Sequence, residues 1–477
     1  MKKFISDVLF NATYQVLLII LPIITMPILS RRLGTEGLGI YSYVFSIAQF
    51  LMILISVGMN PLRIRRIAQN KFNKDELNKE FWNLFIMQAL IGLVITTIYF
   101  FAIFLFKIEY KELYYIQLIF LIGTTFDIAW FFQGIEQFAQ VVIRNVIIKL
   151  LSVMLIILLV KNDKDLPLYV LITSASTVVG SLIFWLSLKN KISKPNFSMP
   201  IFKSLWKPSL IILLPQVFMQ VYTTLDKTVV GSLTTNTELS YYDQSQKIAR
   251  ILLTLLSSLT IVMLPKMTGA IKNGDNDKVY MYTKKAFNYT LTFSLILFSI
   301  IFANTKEFVV WFFGPKFVPM TANMMIVSFI IILNPIGGIF SNQFALAMEK
   351  DKEYGIPLII GSIVSLLGNY ILVPIYNALG ATIVLVFVEL IVCILRIVLI
   401  KDFINLQFLI TKQILIELGL TIAITITGLL LPSIFANSFF NIAYKSMVML
   451  LLFGIILFTT KSEVVLDVKK ILKGTKN

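Results

Sequence analysis

Apolar runs of about twenty residues, each long enough to cross a bilayer as an α-helix, recur along the whole of this 477-residue chain. That recurrence decides the fold class. The runs are continuous, not alternating over about ten residues, which excludes a transmembrane β-barrel. In hydrocarbon every backbone polar group must be satisfied internally, so such runs form helices. The charged fraction of 14% is too low for a soluble enzyme, since soluble domains are about a quarter charged. With no histidine and one cysteine, Cys393 in mid-run, disulfide frameworks, zinc sites and histidine proton relays are excluded. The net charge of +17 sits in short loops, where anionic lipid headgroups and membrane topology explain it better than nucleic acid does. The first run lacks a small-residue cleavage pattern and reads as a retained helix.

Runs near 8–30, 38–60, 82–106, 114–134, 141–161 and 167–188 form one set of six. A second six lies near 208–232, 241–264, 286–304, 320–347, 357–376 and 380–400, and two more lie near 414–435 and 441–460. This predicts an all-α polytopic membrane protein of about 14 transmembrane helices. The expected organisation is an N-lobe over 1–200, a C-lobe over 201–400, and two further helices with a tail over 401–477. Lysine and arginine crowd the loops at 61–81, 189–207 and 265–285. The positive-inside rule makes that side, and both termini, cytoplasmic. A faint repeat relates "IILPIITMPILSRRLGTEGLGIYSY" (19–43) to "ILLPQVFMQVYTTLDKTVVGSLTTNTELSYY" (212–242). Parallel repeats of this kind mark transporters, and Pro22 and Pro215 are expected to bend their helices.

Ionisable residues within spans are costly and mark cavities or pathways. Asp127, Asp226, Lys227, Lys247, Arg250, Glu389 and Arg396 qualify, and Arg31 and Arg32 close the first span on the outer side. Lys247 and Arg250 share a helix face and call for an anion or a carboxylate opposite. The "NGDND" stretch at 273–277 reads as a polar turn and not as a metal-binding DxD motif. With no histidine to serve a nucleophile, nothing supports an enzyme.

These residues carry a resemblance. "NATYQVLLIILPIITMPILSRRLGTEGLGIYSY", "FDIAWFFQGIEQFAQVVIRNVIIK", "YTTLDKTVVG", "YYDQSQKIARI" and "VMLPKM" resemble motifs of polysaccharide repeat-unit flippases, the Wzx-type branch of the multidrug/oligosaccharidyl-lipid/polysaccharide exporter (MOP) superfamily. The stretch 334–350 departs from that pattern. The resemblance implies two pseudo-symmetric six-helix lobes of the MATE and MurJ kind, working by alternating access. It also implies a substrate, an oligosaccharide on undecaprenyl diphosphate, flipped from the inner to the outer leaflet as a capsule, exopolysaccharide or teichoic-acid precursor. Arginine and lysine suit a diphosphate, so Arg31, Lys227, Lys247 and Arg250 are the expected clamp, with Arg32 as a surface anchor. Asn11, Tyr14, Gln15, Trp130, Gln133 and Tyr222 are expected to meet sugar. Asp127, Asp226 and Glu389 are expected to balance the clamp or carry a coupling proton or sodium ion, with no cofactor and no metal. Expected partners are membrane lipids and the polymerase and glycosyltransferases of the same pathway. The histidine-free, Ile/Lys/Asn-rich composition points to a Gram-positive bacterium. The competing readings are a drug or cation antiporter of the same superfamily, which would favour an acidic cavity, and a membrane glycosyltransferase or polymerase, which would carry a large loop or catalytic domain.

Overall fold

The computed structural model describes residues 2–56, 58–189, 191–193, 213–214, 216–409, 411–460 and 462–472. Among them there is no strand, and eleven segments are long and apolar enough to cross a membrane. The protein is an all-α polytopic membrane protein. Eleven falls short of the expected fourteen for identifiable reasons. Asp351–Val398 runs as one long element holding two of the expected spans, joined at Asn377 with φ 50°. The expected spans near 208–232 and 241–264 fall partly on residues, Pro215 among them, whose structure or side chains lie outside the described residues, as does most of the 189–207 connection.

The chain forms two compact units, residues 1–240 and 241–477. The first contains α1 (Lys2–Arg32), α2 (Gly34–Ser56), α3 (Asn60–Asn70), α4 (Lys74–Leu105), α5 (Lys111–Thr125), α6 (Ala129–Gly134), α7 (Phe138–Leu159), α8 (Leu166–Ser187) and α9 (Asp226–Leu233). Helix α5 packs on α8, α2 and α4, and α7 packs on α1 and α8. One core gathers Phe81, Phe85, Trp130, Phe131, Phe132 and Phe184. On α4 the residues Leu90, Leu93, Val94, Ile98, Phe101 and Leu105 stay exposed. Their three- and four-residue spacing draws one apolar stripe along the helix, a face built for lipid and not for water.

Between α1 and α2 the reversal rests on Gly34, whose φ of +68° is open to glycine. Gly37 and Gly39 in the same stretch, by contrast, are helical. Gly39 is needed for a different reason. A Cβ there would stand 1.7 Å from the backbone oxygen of Asn236, so the start of α2 lies directly against the turn after α9.

The second unit is taken up mainly by α10 (Asn236–Lys272, which starts in the first unit), α11 (Asn276–Phe313), α12 (Thr321–Val327), α13 (Ile330–Gly338), α14 (Asp351–Val398), α15 (Lys412–Leu430), α16 (Ser438–Thr459) and α17 (Glu463–Leu472). The 273–277 turn is polar, and Asp275 caps α11 by accepting from the Lys278 amide at 3.1 Å. Both α15 and α16 pack on α11. Lys445 and Glu307 hold α16 to α11 through a nearly buried ion pair at 2.6 Å.

Candidate functional site

The fourth span is not the continuous helix its hydropathy predicts. It breaks after Thr125 and restarts at Ala129. Thr124 and Thr125 turn their hydroxyls back onto the carbonyls of Phe120 and Leu121 at 3.0 and 2.8 Å, a competition that loosens a helix. The Asp127 carboxylate then accepts from the Ala129 amide at 3.1 Å and starts the next turn. A break inside a span strands carbonyls, and here one residue of α4 collects them. The Gln88 amide donates to the carbonyls of Thr124, Thr125 and Asp127 at 3.1, 2.9 and 2.9 Å. Its oxygen accepts from the Trp130 indole at 3.2 Å. Gln88 is 2% exposed, so the break is satisfied by protein, as hydrocarbon requires.

At the break Asp127 meets Arg144 of α7, 3.4 Å away. The Arg144 guanidinium carbon stands over the Phe184 ring, 3.9 Å from its centroid. It also donates to the Gly180 carbonyl at 3.0 Å and to the Asn145 side chain. A Cβ at residue 180 would come within 3.0 Å of the guanidinium carbon, so glycine makes room for the arginine. Tyr14 reaches Asn145 with a side-chain hydrogen bond. A second arginine, Arg63, stands 5.7 Å over the Trp130 ring and is 1% exposed. It donates a long hydrogen bond to the Asn60 side chain at 3.4 Å. Its Nε and Nη2 atoms have no hydrogen-bond partner among the described residues. Two guanidinium groups, one carboxylate and a tyrosine thus gather at a helix break among aromatic rings. Such an arrangement can bind an anion and orient hydroxyl groups.

Of the expected residues, Tyr14, Asp127 and Trp130 fall in this neighbourhood. Trp130, expected to meet sugar, is 3% exposed and packs in the aromatic core 5.6 Å from Phe81. Gln133 is half-buried and Gln15 exposed; the side chain of Asn11 lies outside the described residues. Tyr222 is buried in a π-helical turn, Val221–Leu225. Asp226 follows it, 1% exposed, and accepts from the Lys227 amide at 2.7 Å. Arg31 is exposed and donates to the Pro27 carbonyl at 2.9 Å. Arg32 donates to the carbonyls of Ile157 and Val160, both at 2.6 Å, and so closes the end of α7. In the second unit the carboxylate that Lys247 calls for lies on its own helix: Asp243, 1% exposed, pairs with it at 2.6 Å. Arg250 donates to Gln246 at 3.2 Å. Both Glu389 oxygens accept from Asn334 at 3.2 Å.

The sequence reading did not single out Arg144, Arg63, Asp243 or Gln88. Arg144 had a clear signal, a charge seven residues into the apolar run 138–159. Asp243 and Gln88 are short or neutral polar residues that hydropathy averages away.

The family described as "Polysaccharide biosynthesis protein" matches residues 4–271, more than half of the chain. The protein belongs to this family. The matched stretch contains the whole Asp127–Arg144–Arg63 cluster. Among relatives of this family member is a protein of Escherichia coli (strain K12) named "Putative O-antigen transporter". It is 23% identical over 404 residues, covering 83% of this chain and 96% of the relative. A solved structure described as "Lipid II flippase MurJ, inward closed conformation" superposes with a TM-score of 0.74 at 15% identity, covering 97% of this chain and 99% of that one. An inward-facing multidrug resistance transporter of the MATE family and MOP superfamily gives 0.62 at 14% identity, covering 82% and 96%. At those identities the two structures speak for a shared fold. The chain is thus a member of the polysaccharide biosynthesis family whose fold is shared by a flippase and a multidrug transporter.

Proposed function

We propose that this family member moves an oligosaccharide carried on undecaprenyl diphosphate from the inner to the outer leaflet of a bacterial cytoplasmic membrane. The load would be a repeat unit of capsule or exopolysaccharide, or a teichoic-acid precursor, in a Gram-positive cell. One observation carries the reading: Arg144 is held inside a span by a ring and a backbone carbonyl, and its pairing with Asp127 is long at 3.4 Å. A diphosphate arriving there would compete for the guanidinium on favourable terms, because phosphate accepts two parallel bonds from arginine. Without such donors a sugar diphosphate could not enter about 30 Å of hydrocarbon. Arg31 and Lys227 are the further diphosphate donors of the first unit, and Lys247 and Arg250 those of the second. Asp127, Asp226 and Glu389 are the candidates for carrying a coupling proton or sodium ion. The bias of lysine and arginine toward the 61–81, 189–207 and 265–285 loops supports cytoplasmic termini. The polymerase and glycosyltransferases of the pathway would supply and consume the substrate.

The test is depletion of the protein in its own host. Lipid-linked oligosaccharide should accumulate on the cytoplasmic side. Arg144→Ala and the Arg31→Ala, Lys247→Ala double variant should reproduce the accumulation at equal membrane abundance. An unchanged lipid-linked pool together with a loss of cationic dye efflux would sink this reading in favour of a small-molecule exporter.

A further inference from the structure

At the end of the first unit away from Lys71, Glu136 and Lys191, a cavity of about 670 Å³ opens. Three separated pieces of chain build it: the start of α2, the α4–α5 connection, and the turn after α9. Glu36, Tyr43, Lys107, Glu109, Tyr110 and Asn236 line it, with the serine and threonine hydroxyls of the 232–237 turn. All three pieces lie in or beside connections that the loop charges assign to the exterior.

The walls are fixed. Gly39 lets the Asn236 backbone approach α2, and Gly231 leaves room for the Tyr43 ring, which would stand 2.5 Å from a Cβ there. Thr35 and Thr237 hydroxyls meet at 3.5 Å, and Ser46 and Thr228 at 2.6 Å. Tyr110 is the strained member. Its φ of 57° places a bulky aromatic residue in the left-handed region, a conformation retained only where the surroundings over-determine it. Here its phenol accepts from the Asn236 amide at 2.8 Å. Burial, with the neighbouring Glu109 carboxylate, pushes that phenol above its ordinary range, which keeps it protonated.

The volume lies within the roughly 300–1,000 Å³ range of small-molecule sites, far more than a bare ion needs. The lining is rich in groups that both donate and accept, with two carboxylates as strong acceptors. Two tyrosine rings add flat apolar faces. Hydroxyl-rich ligands with apolar C–H faces, that is pyranose sugars, match this combination. We propose that this outer cavity is a carbohydrate subsite that receives the glycan of the repeat unit as it leaves the membrane. It rests on the flippase reading and adds to it. Glu36 and Glu109 accept from sugar hydroxyls, Tyr43 and Tyr110 offer ring faces, and Asn236 keeps Tyr110 in place.

The experiment uses the full-length protein in lipid nanodiscs. The probe is the oligosaccharide freed by mild acid from the host's own lipid-linked pool, bearing neither diphosphate nor lipid, titrated by calorimetry. The wild type should bind it saturably. The Glu36→Gln, Glu109→Gln double variant should bind it about tenfold or more weakly, with an unchanged melting midpoint, because both side chains are exposed. Equal affinity in the two proteins overturns the proposal. So does calcium binding that only the double variant loses while the oligosaccharide fails to bind, which would make the cavity a cation site. If the intact lipid-linked substrate binds and the free oligosaccharide does not, the subsite falls and the flippase reading stands. If neither binds, the flippase reading falls as well.

Discussion

Two adjacent arginines end α1, and they do different things. The sequence assigns Arg31 to the diphosphate and Arg32 to the membrane surface as an anchor. In the structure Arg32 is anchored to protein, where it occupies the last carbonyls of α7. Replacing it with alanine leaves those two acceptors without their donor, at a cost of about 1–3 kcal/mol. Arg32→Ala should therefore lower the melting midpoint and membrane abundance. Arg31→Ala should leave both unchanged and reduce flipping about tenfold, the worth of one charge-assisted bond. Equal losses of stability in the two variants would contradict this division. Arg144 allows a finer test, because its role depends on shape as well as charge. Arg144→Lys keeps the charge but loses the guanidinium over Phe184 and the fork that reaches Gly180 and Asp127 together. Substrate accumulation should follow that variant almost as strongly as Arg144→Ala. Rescue by lysine would reduce Arg144 to a point charge.

The broken fourth span shows where hydropathy reading stops. Nothing in "LIGTTFDIAWFFQG" announces the interruption by proline, and the one glycine before it, Gly123, is helical. What permits the break is Gln88, distant in sequence and contributed by another helix. A window average along one run cannot see a donor on its neighbour. The same limit hid Asp243, the buried partner of Lys247. The spans themselves were legible, because apolar length is local, and so was the polar turn capped by Asp275. Gln88→Leu keeps the volume and removes the donor, which strands carbonyls at the break. It should destabilise the protein by about 2–4 kcal/mol, read as a lower midpoint and faster amide exchange over 124–130. At Gly39 the constraint is steric, and a methyl group 1.7 Å from a backbone oxygen must move α2 or the 234–236 turn. Gly39→Ala should fail to accumulate in membranes, whereas Gly37→Ala, whose nearest contact is a side-chain carbon at 3.2 Å, should be tolerated.

At the scale of the molecule, each unit buries polar side chains of its own, Gln88 and Gln117 in the first and Thr292 and Asn304 in the second. The fold class and the family were legible because they follow from the count of apolar runs and from motifs in the first 271 residues. The arrangement of the site was not, since it depends on which faces of α3, α4, α7 and α8 turn toward the break. Topology can be checked directly, because the single native cysteine, Cys393, is buried. In a Cys393→Ser background, Lys164→Cys should react with a membrane-impermeant maleimide in intact cells. Asn273→Cys should react only after permeabilisation. The reverse pattern would invert the orientation.

Three carbonyls at the break share one amide as their donor. Withdrawing Gln88 would strip the Thr125 and Asp127 carbonyls of this donor together, while the Thr124 carbonyl would keep the Asp127 amide at 3.2 Å. Gln88 therefore couples the break to α4, as a pin couples one leaf of a hinge to its frame. Whatever bending the first unit undergoes has to occur on the far side of that pin, toward Arg144 and the chain that follows it.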